Sequence, residues 1–480
     1  MRSVADEPGA AGGVPRRLLP WLVAVAFFMQ ALDTTILNTA VPSIASAIGV
    51  APLSMKSVLA SYTLSLAVFI PISGWLANRF GTRAVFSGAI AIFTLGSLAC
   101  GLARNIHLLV ACRVLQGFGG AMMTPVGRLT LVRAFPKSEL VRAMSFVAIP
   151  GLLGPMIGPF AGGLITSYLH WSMIFFLNVP IGLAGLYLVY RNLPDFREPD
   201  TPPLDVAGLV LFSSGIGLLS YVLEIFGEHR LGAIPISGLL LLSAALLAGY
   251  GLHSTRTLYP LLRLSLFRIR TFRAAVNGGF FTRISIGGIP FLLPLLFQVG
   301  LGYTPVQSGL LLMPQGLAAM GLKVVLSRIL ARFGYRAVLG ANTVLLGLVI
   351  LSFATIHGGT PVWLIVLQVF SFGMLSSLQY TSMNTLVYAD VPREAAGNAS
   401  TIASTGQQLA LSFGVAIASM ATALFVPDRF HTSAPQVVAG IHQALLALGA
   451  ATVVSAVVFR TLRRSDGDSV SRHHQEARAA

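Results

Sequence analysis

Asp33 is the residue most out of place in this chain. It lies about 15 residues into an apolar run that begins at Leu18, and at about 1.5 Å per residue that places it deep in any bilayer the run crosses. A carboxylate at bilayer centre costs about 2.5–3.5 kcal/mol on insertion scales. Gln30, Thr34 and Asn38 recur around it at helical spacing, a polar stripe expected to face the bundle interior. A neutral acid bonded to neighbouring helices is one reading. A proton carrier is the preferred one, because a carboxyl desolvated in one conformation and paired with a cation in another binds a proton in the first and releases it in the second. Three cations also fall inside apolar runs: Arg113, Arg283 and Lys323. Lys323 could snorkel to the interface; Arg283, roughly 15 Å into its run, is harder to place there. No Asp or Glu occurs between Glu228 and Asp390, so neither has an acid near it in sequence. An interior with more cations than acids is expected to take neutral or anionic compounds rather than polycations.

Membrane-spanning helices must position these residues. The 480 residues are 55% hydrophobic and 10% charged, with mean hydropathy +0.79, against about 25% charged in soluble domains. The composition makes this an all-α polytopic membrane protein. A crossing helix needs about 20 mostly apolar residues. Such runs occur at Leu18–Val41, Ser57–Ala77, Ala84–Ala103, His107–Gly127, Ala143–Leu164, Trp171–Tyr190, Val206–Leu223 and Gly232–Gly251. They continue at Ala274–Gln298, Val306–Leu326, Ala337–Ile356, Val362–Thr385, Ser400–Thr422 and Val437–Phe459, about 14 spans in all. With the N-terminus in the cytoplasm, 25 basic residues fall on the cytoplasmic side and four outside. That bias sets the orientation, with both termini cytoplasmic.

The net charge of +16 is therefore explained by topology, and no nucleic-acid partner is expected. Cys100 and Cys112 both lie in apolar segments and offer no disulfide framework or metal site. The first run is too long for a cleavable signal peptide. The glycine-rich stretches follow no strand and carry no Walker lysine, so no nucleotide site, cofactor, metal or enzymatic activity is expected.

The segment Arg79–Val85 (RFGTRAV) reappears as Arg332–Val338 (RFGYRAV), and Thr130–Val132 is echoed at Thr385–Val387. Both echoes sit at corresponding places in two six-helix halves, residues 1–200 and 256–480, with residues 201–255 inserted as two linker helices. Parallel halves with a midplane site between them are a transporter architecture.

Several motifs, in order along the chain, carry a family resemblance. Gly74–Arg83 (GWLANRFGTR) resembles the signature loop of the major facilitator superfamily. Arg113, Gln116, Gly117, Gly119 and Gly120 look like its fourth-helix motif. Gly154, Pro155, Gly158, Pro159, Gly162 and Gly163 resemble its fifth-helix antiporter motif. Leu32–Pro42 is similar to the first-helix motif of the fourteen-spanner drug:proton antiporters, and Asn178–Gly182 and Leu204–Gly208 match patterns of that branch. The resemblance implies a major facilitator fold and export of small, amphipathic or drug-like compounds in exchange for protons by alternating access. It implies that Asp33 and Arg113 couple the proton and that Gly74, Asn78, Arg79, Gly81 and Arg83 form a gating loop. Gln30, Thr34, Asn38, Gln116, Arg283 and Lys323 are expected to surround the substrate cavity. The glycines, four apart, let a helix approach closely, and the prolines bend the rod; packing and a leak-blocking bend are both open. Asn78 replaces the usual Asp, which implies a weaker cytoplasmic lock, and His170–Ser172 (HWS) replaces the usual Trp-Arg-Trp. A facilitator, a proton-coupled transporter of a specific metabolite, and a transport-inactive receptor are the alternatives. The expected setting is the bacterial inner membrane, with a small-molecule substrate. A periplasmic adaptor and outer-membrane channel stay open as partners.

Overall fold

The computed structural model describes residues 18–135, 137–198, 201–226, 233–392, 395–425 and 434–467. Both terminal tails, whose cytoplasmic placement is expected above, lie outside the described residues. A helix stands on every expected span. The first half comprises α1 (Leu19–Ile48), α2 (Lys56–Phe80), α3 (Thr82–Gly101), α4 (Ile106–Ala134), α5 (Lys137–Tyr168) and α6 (Asn178–Asn192). The linker pair is α7 (Val206–Phe226) and α8 (Ala233–Arg256). The second half begins with α9 (Arg270–Leu295) and one long run, Pro305–Ser352. Gly334, at φ 72° and ψ 161°, breaks that run into α10 (residues 305–333) and α11 (residues 335–352). It ends with α12 (Val362–Leu386), α13 (Ala396–Phe425) and α14 (Ala434–Ser455). Among the described residues, 12 helices are long and apolar enough to cross a membrane. The remaining two expected spans fall on α5 and α10, which include side chains outside the described set.

The internal repeat is visible in the backbone. Gly81 (φ 94°) and Gly334 (φ 72°) occupy the left-handed region at corresponding loops, where a side chain would be strained. In both halves the chain that follows the sixth helix folds back over this loop. Thr82 N–H donates to Phe196 O at 3.1 Å in the first half, and Gly467 lies against the Tyr335 ring in the second. Arg270 and Asp466 pair through both guanidinium branches and pin that second strap. Although burial opposes it, the Arg270 bonds and the Arg463 amide hold the Asp466 carboxyl below its ordinary value.

One apolar cluster joins the halves at the end away from the basic loops. It combines residues such as Leu37, Val41 and Phe175 with Phe291, Phe297 and Phe372. There α5 packs on α10 and α2 on α13. Gln298 Nε2 donates to Thr39 O at 2.9 Å and Ser412 Oγ to Ala60 O at 3.2 Å. At the basic end two clusters replace it, one built on the first half and one on the second with Ala67 of α2 joining it, and cavities lie between the halves. α7 packs against α2 and α13, across the seam, and α8 packs outside α7. The molecule is thus closed at one end and open at the basic end.

Candidate functional site

Asp33 is fully buried inside the first half. Polar residues of α3, α4 and α6 converge around it, because buried polar groups in an apolar bundle must pair with one another. Arg113 Nη1 approaches Oδ2 at 2.6 Å. Gln116, one turn along α4, donates to Oδ1 at 2.8 Å, and Asn178, at the start of α6, donates to Oδ1 at 3.1 Å. Ser97 Oγ on α3 accepts from both Gln116 and Asn178. Every partner of Asp33 donates, as an acceptor-only carboxylate anion requires. Arg113 also donates to Gln116 Oε1 at 2.8 Å and lies 4.1 Å from the centre of the Tyr62 ring. A Cβ at Gly96 would fall 2.8 Å from the Gln116 backbone, so only glycine lets α3 close over this network.

Asn178, Ser97 and Tyr62 were not singled out from sequence as members of this site; Asn178 stood only within a family pattern. Conversely, the stripe on α1 divides. Gln30 accepts from Thr124 Oγ1 at 2.6 Å and lines the space between the halves, while the Thr34 hydroxyl bonds the Gln30 carbonyl of its own helix. Asn38 is half-buried a turn further along α1. None of the three bonds Asp33. Gln116 was expected at the substrate cavity and instead holds Asp33.

The space between the halves includes a cavity of about 340 Å³ bounded by α1, α2, α4, α12 and α13. A second, of about 570 Å³, lies toward the basic end and is bounded by Gly74, Asn78, Glu198, Asp205, Arg263 and the start of α13. Arg128 borders both. Arg283 on α9 is 4% exposed, donates through Nη2 to Asn384 Oδ1 at 2.7 Å and stands 5.0 Å from the Tyr380 ring. Asn384 borders the smaller cavity, so Arg283 stands one side chain behind its wall. Lys323 is exposed and borders neither cavity.

The fifth-helix glycines face α1. A Cβ at Gly154 would fall 2.7 Å from Leu32 N, at Gly158 2.1 Å from Thr35 Oγ1, and at Gly162 2.2 Å from Ile36 O. Thr35 and Thr39 donate to the carbonyls of Gly154 and Pro159 at 3.1 and 3.0 Å. Gly163 points elsewhere, to Pro305 on α10, across the two halves. Pro155 and Pro159 both lie inside α5, which stays one continuous helix.

The signature loop is tied to the strap between α6 and α7. Arg83 N–H donates to Asp195 Oδ1 at 3.1 Å and Arg83 Nε to Leu193 O at 2.6 Å, while Arg79 is exposed. Asn78 accepts from Arg133 Nη2 at 3.0 Å and donates to Glu198 Oε2 at 2.8 Å, and Arg133 pairs with Glu198. The carboxylate absent at position 78 is therefore supplied by Glu198. Asn78→Asp should set two acids side by side and loosen the strap, by about 1 kcal/mol or less at this partly solvated site. Asn78→Asp with Glu198→Gln should restore it. Melting of the purified variants checks this: a single variant more stable than its parent would reverse the assignment.

Asp205, just before α7, is a staple. It accepts from Gly208 N–H at 2.8 Å and Leu261 N–H at 3.0 Å and contacts His253 Nε2 at 2.7 Å. Burial opposes ionisation, but these three partners hold its carboxyl below the ordinary value.

Two six-helix halves about a cleft, with an ion pair buried in one of them, define a multi-pass membrane transporter. The chain belongs to the Major Facilitator Superfamily, whose family profile matches residues 23–415. It is 41% identical over 426 residues to a Serratia proteamaculans protein named MdtD for multidrug resistance, covering 89% of this chain and 88% of that one. A Yersinia enterocolitica protein of the same name is 38% identical over 464 residues, covering 96% and 98%. Among solved structures, a POT family transporter in complex with 5-aminolevulinic acid shares the fold at TM-score 0.69 and 16% identity, covering 95% of this chain and 97% of that one.

Proposed function

We infer that this protein is a proton-coupled antiporter that exports small compounds from the bacterial cytoplasm by alternating access. The observation that carries the reading is the Asp33–Arg113 pair, fully buried at 2.6 Å beside a cleft that opens at one end only. A buried pair survives only with its partners in place. A shift of α4 against α1 within the first half, coupled to the rocking, that separates Asp33 from Arg113 would leave a desolvated carboxyl that takes a proton. Re-forming the pair would expel it. Substrates of the kind for which the MdtD relatives are named are the reference class. Everted vesicles test the reading. Energised export should fall when ΔpH or Δψ is dissipated separately, and counterflow should persist without either. Counterflow with no response to either gradient would favour a facilitator.

The basic end is assigned to the cytoplasm by the charge bias, which makes the observed conformation inward-facing in the cytoplasmic membrane, with both termini inside. Reporter fusions after Arg197 and between Arg256 and Arg273 should both read cytoplasmic. A periplasmic signal at either would overturn the orientation. Whether an adaptor and outer-membrane channel join the protein is a separate question that co-purification from crosslinked cells would answer.

A further inference from the structure

The geometry points to small, polar, carboxylate-bearing compounds as the substrates that occupy the cavity between the halves; this rests on the transporter reading above. Four carboxamides border the cavity of about 340 Å³: Gln30, Asn384, Gln407 and Gln408, together with the Thr124 hydroxyl and the Arg128 guanidinium. None of its described lining residues is a carboxylate. Behind Asn384 stands Arg283, 4% exposed, whose Nε has no hydrogen-bond partner among the described residues. Arg128 likewise forms no ion pair among the described residues.

This shortage of acid is a property of the sequence. Residues 229–389 contain no Asp or Glu, and Asp33 is already paired to Arg113. A buried guanidinium without a counter-charge is costly, and an arriving anion relieves that cost. Among the described residues, the hydrogen-bond acceptor facing Arg283 is the Asn384 carboxamide oxygen, at 2.7 Å. That oxygen occupies the place a carboxylate oxygen would take, and a turn of Asn384 exchanges one for the other. A planar guanidinium binds a carboxylate through two parallel hydrogen bonds, which an amide oxygen cannot match. The remaining carboxamides both donate and accept, so they suit hydroxyl and carbonyl groups on the same molecule. Within this cavity a lipophilic cation would meet Arg128, with Arg283 behind Asn384 and no carboxylate in the described lining to offset them. The volume lies within the range of small-ligand sites.

The experiment measures thermal shifts and transport of the full-length protein in nanodiscs and proteoliposomes. Succinate, malate and benzoate are the carboxylate probes, dimethyl succinate is the uncharged isostere, and tetraphenylphosphonium is the lipophilic cation. Saturable stabilisation by at least one carboxylate is expected, with none from dimethyl succinate. Arg283→Gln should weaken that carboxylate about tenfold or more, and Arg283→Lys should recover part of the loss. Without ligand, Arg283→Gln should melt at or above the parent, since it removes an uncompensated buried charge. The inference fails if no carboxylate binds, if dimethyl succinate binds equally well, or if Arg283→Gln melts lower without ligand. Uphill export of tetraphenylphosphonium without carboxylate binding would overturn this inference and leave antiport standing. Arg283-dependent carboxylate binding with no uphill movement of any probe would do the reverse.

Discussion

Asp33→Asn should abolish uphill export while substrate binding and downhill exchange survive at least in part. The substitution keeps the shape of the side chain and its place among Gln116 and Asn178, but the amide cannot give up a proton. Asp33 is the one carboxyl in the middle of a described helix, and both its oxygens are engaged by donors. The driving forces can be apportioned. One charge moved through 100 mV is worth about 2.3 kcal/mol, and one pH unit about 1.4 kcal/mol. A proton exchanged for a neutral compound draws on both, exchange for a monovalent cation on ΔpH alone, and exchange for an anion most strongly on voltage. Carboxylate substrates would therefore make export steeply voltage-dependent. Breaking a buried pair from one side costs about 3–5 kcal/mol because the other charge is stranded, so Asp33→Asn should also melt lower. Asp33→Asn with Arg113→Gln removes the stranded cation and should recover stability without recovering coupling. Asp33→Glu should keep some activity with a shifted pH optimum. Proton-driven uphill export by the Asn variant in proteoliposomes would place the carrier elsewhere.

The parts of this site that were legible in sequence are those that carry a charge through an apolar run. Asp33, Arg113 and Arg283 are conspicuous because each is expensive where it stands. Asn178 and Ser97 are uncharged and lie on α6 and α3, so neither is expensive enough in an apolar run to mark it as a partner of Asp33. The stripe on α1 was legible as a pattern but not in its division. Residues three apart lie close on a helix surface, yet Gln30 faces the cleft and Asp33 the interior of its own half. Glu198 was illegible because its contact with Asn78 spans 120 positions of sequence and belongs to a strap with no periodicity. Arg128 falls just outside the apolar run, which ends at Gly127. The helix continues to Ala134, and the same arginine borders both cavities. The repeat was legible as far as the two glycines whose backbone it dictates.

Gly309→Val should shift the resting population toward the outward-open state. Three glycines mediate the contact between α5 and α10 that closes the end away from the basic loops. A Cβ at Gly309 would fall 2.4 Å from Pro159 O, at Gly316 2.4 Å from Met156 Cα, and at Gly163 2.2 Å from Pro305 O. These are backbone atoms of the opposite half, which cannot turn aside as a flexible side chain would. Overpacking of this kind costs about 1–3 kcal/mol. Alternating access requires this contact to part, so the outward-open state escapes the cost. The population ratio should then move by about fivefold to 140-fold, at tenfold per 1.4 kcal/mol. Gly158→Val is the matched control. It clashes with Thr35 on α1 inside one half, a contact that rigid rocking of the halves leaves unchanged, so it should lower stability and expression in both states without shifting the balance. Both outcomes can be read from Ser404→Cys in a background where Cys100 and Cys112 are replaced. Ser404 borders both cavities at the basic end, so an impermeant maleimide applied to everted vesicles reports its opening. Labelling should slow in Gly309→Val and keep its rate, per folded molecule, in Gly158→Val. Equal labelling rates in Gly309→Val and its parent, with normal protein levels, would mean that α5 and α10 do not form the moving closure.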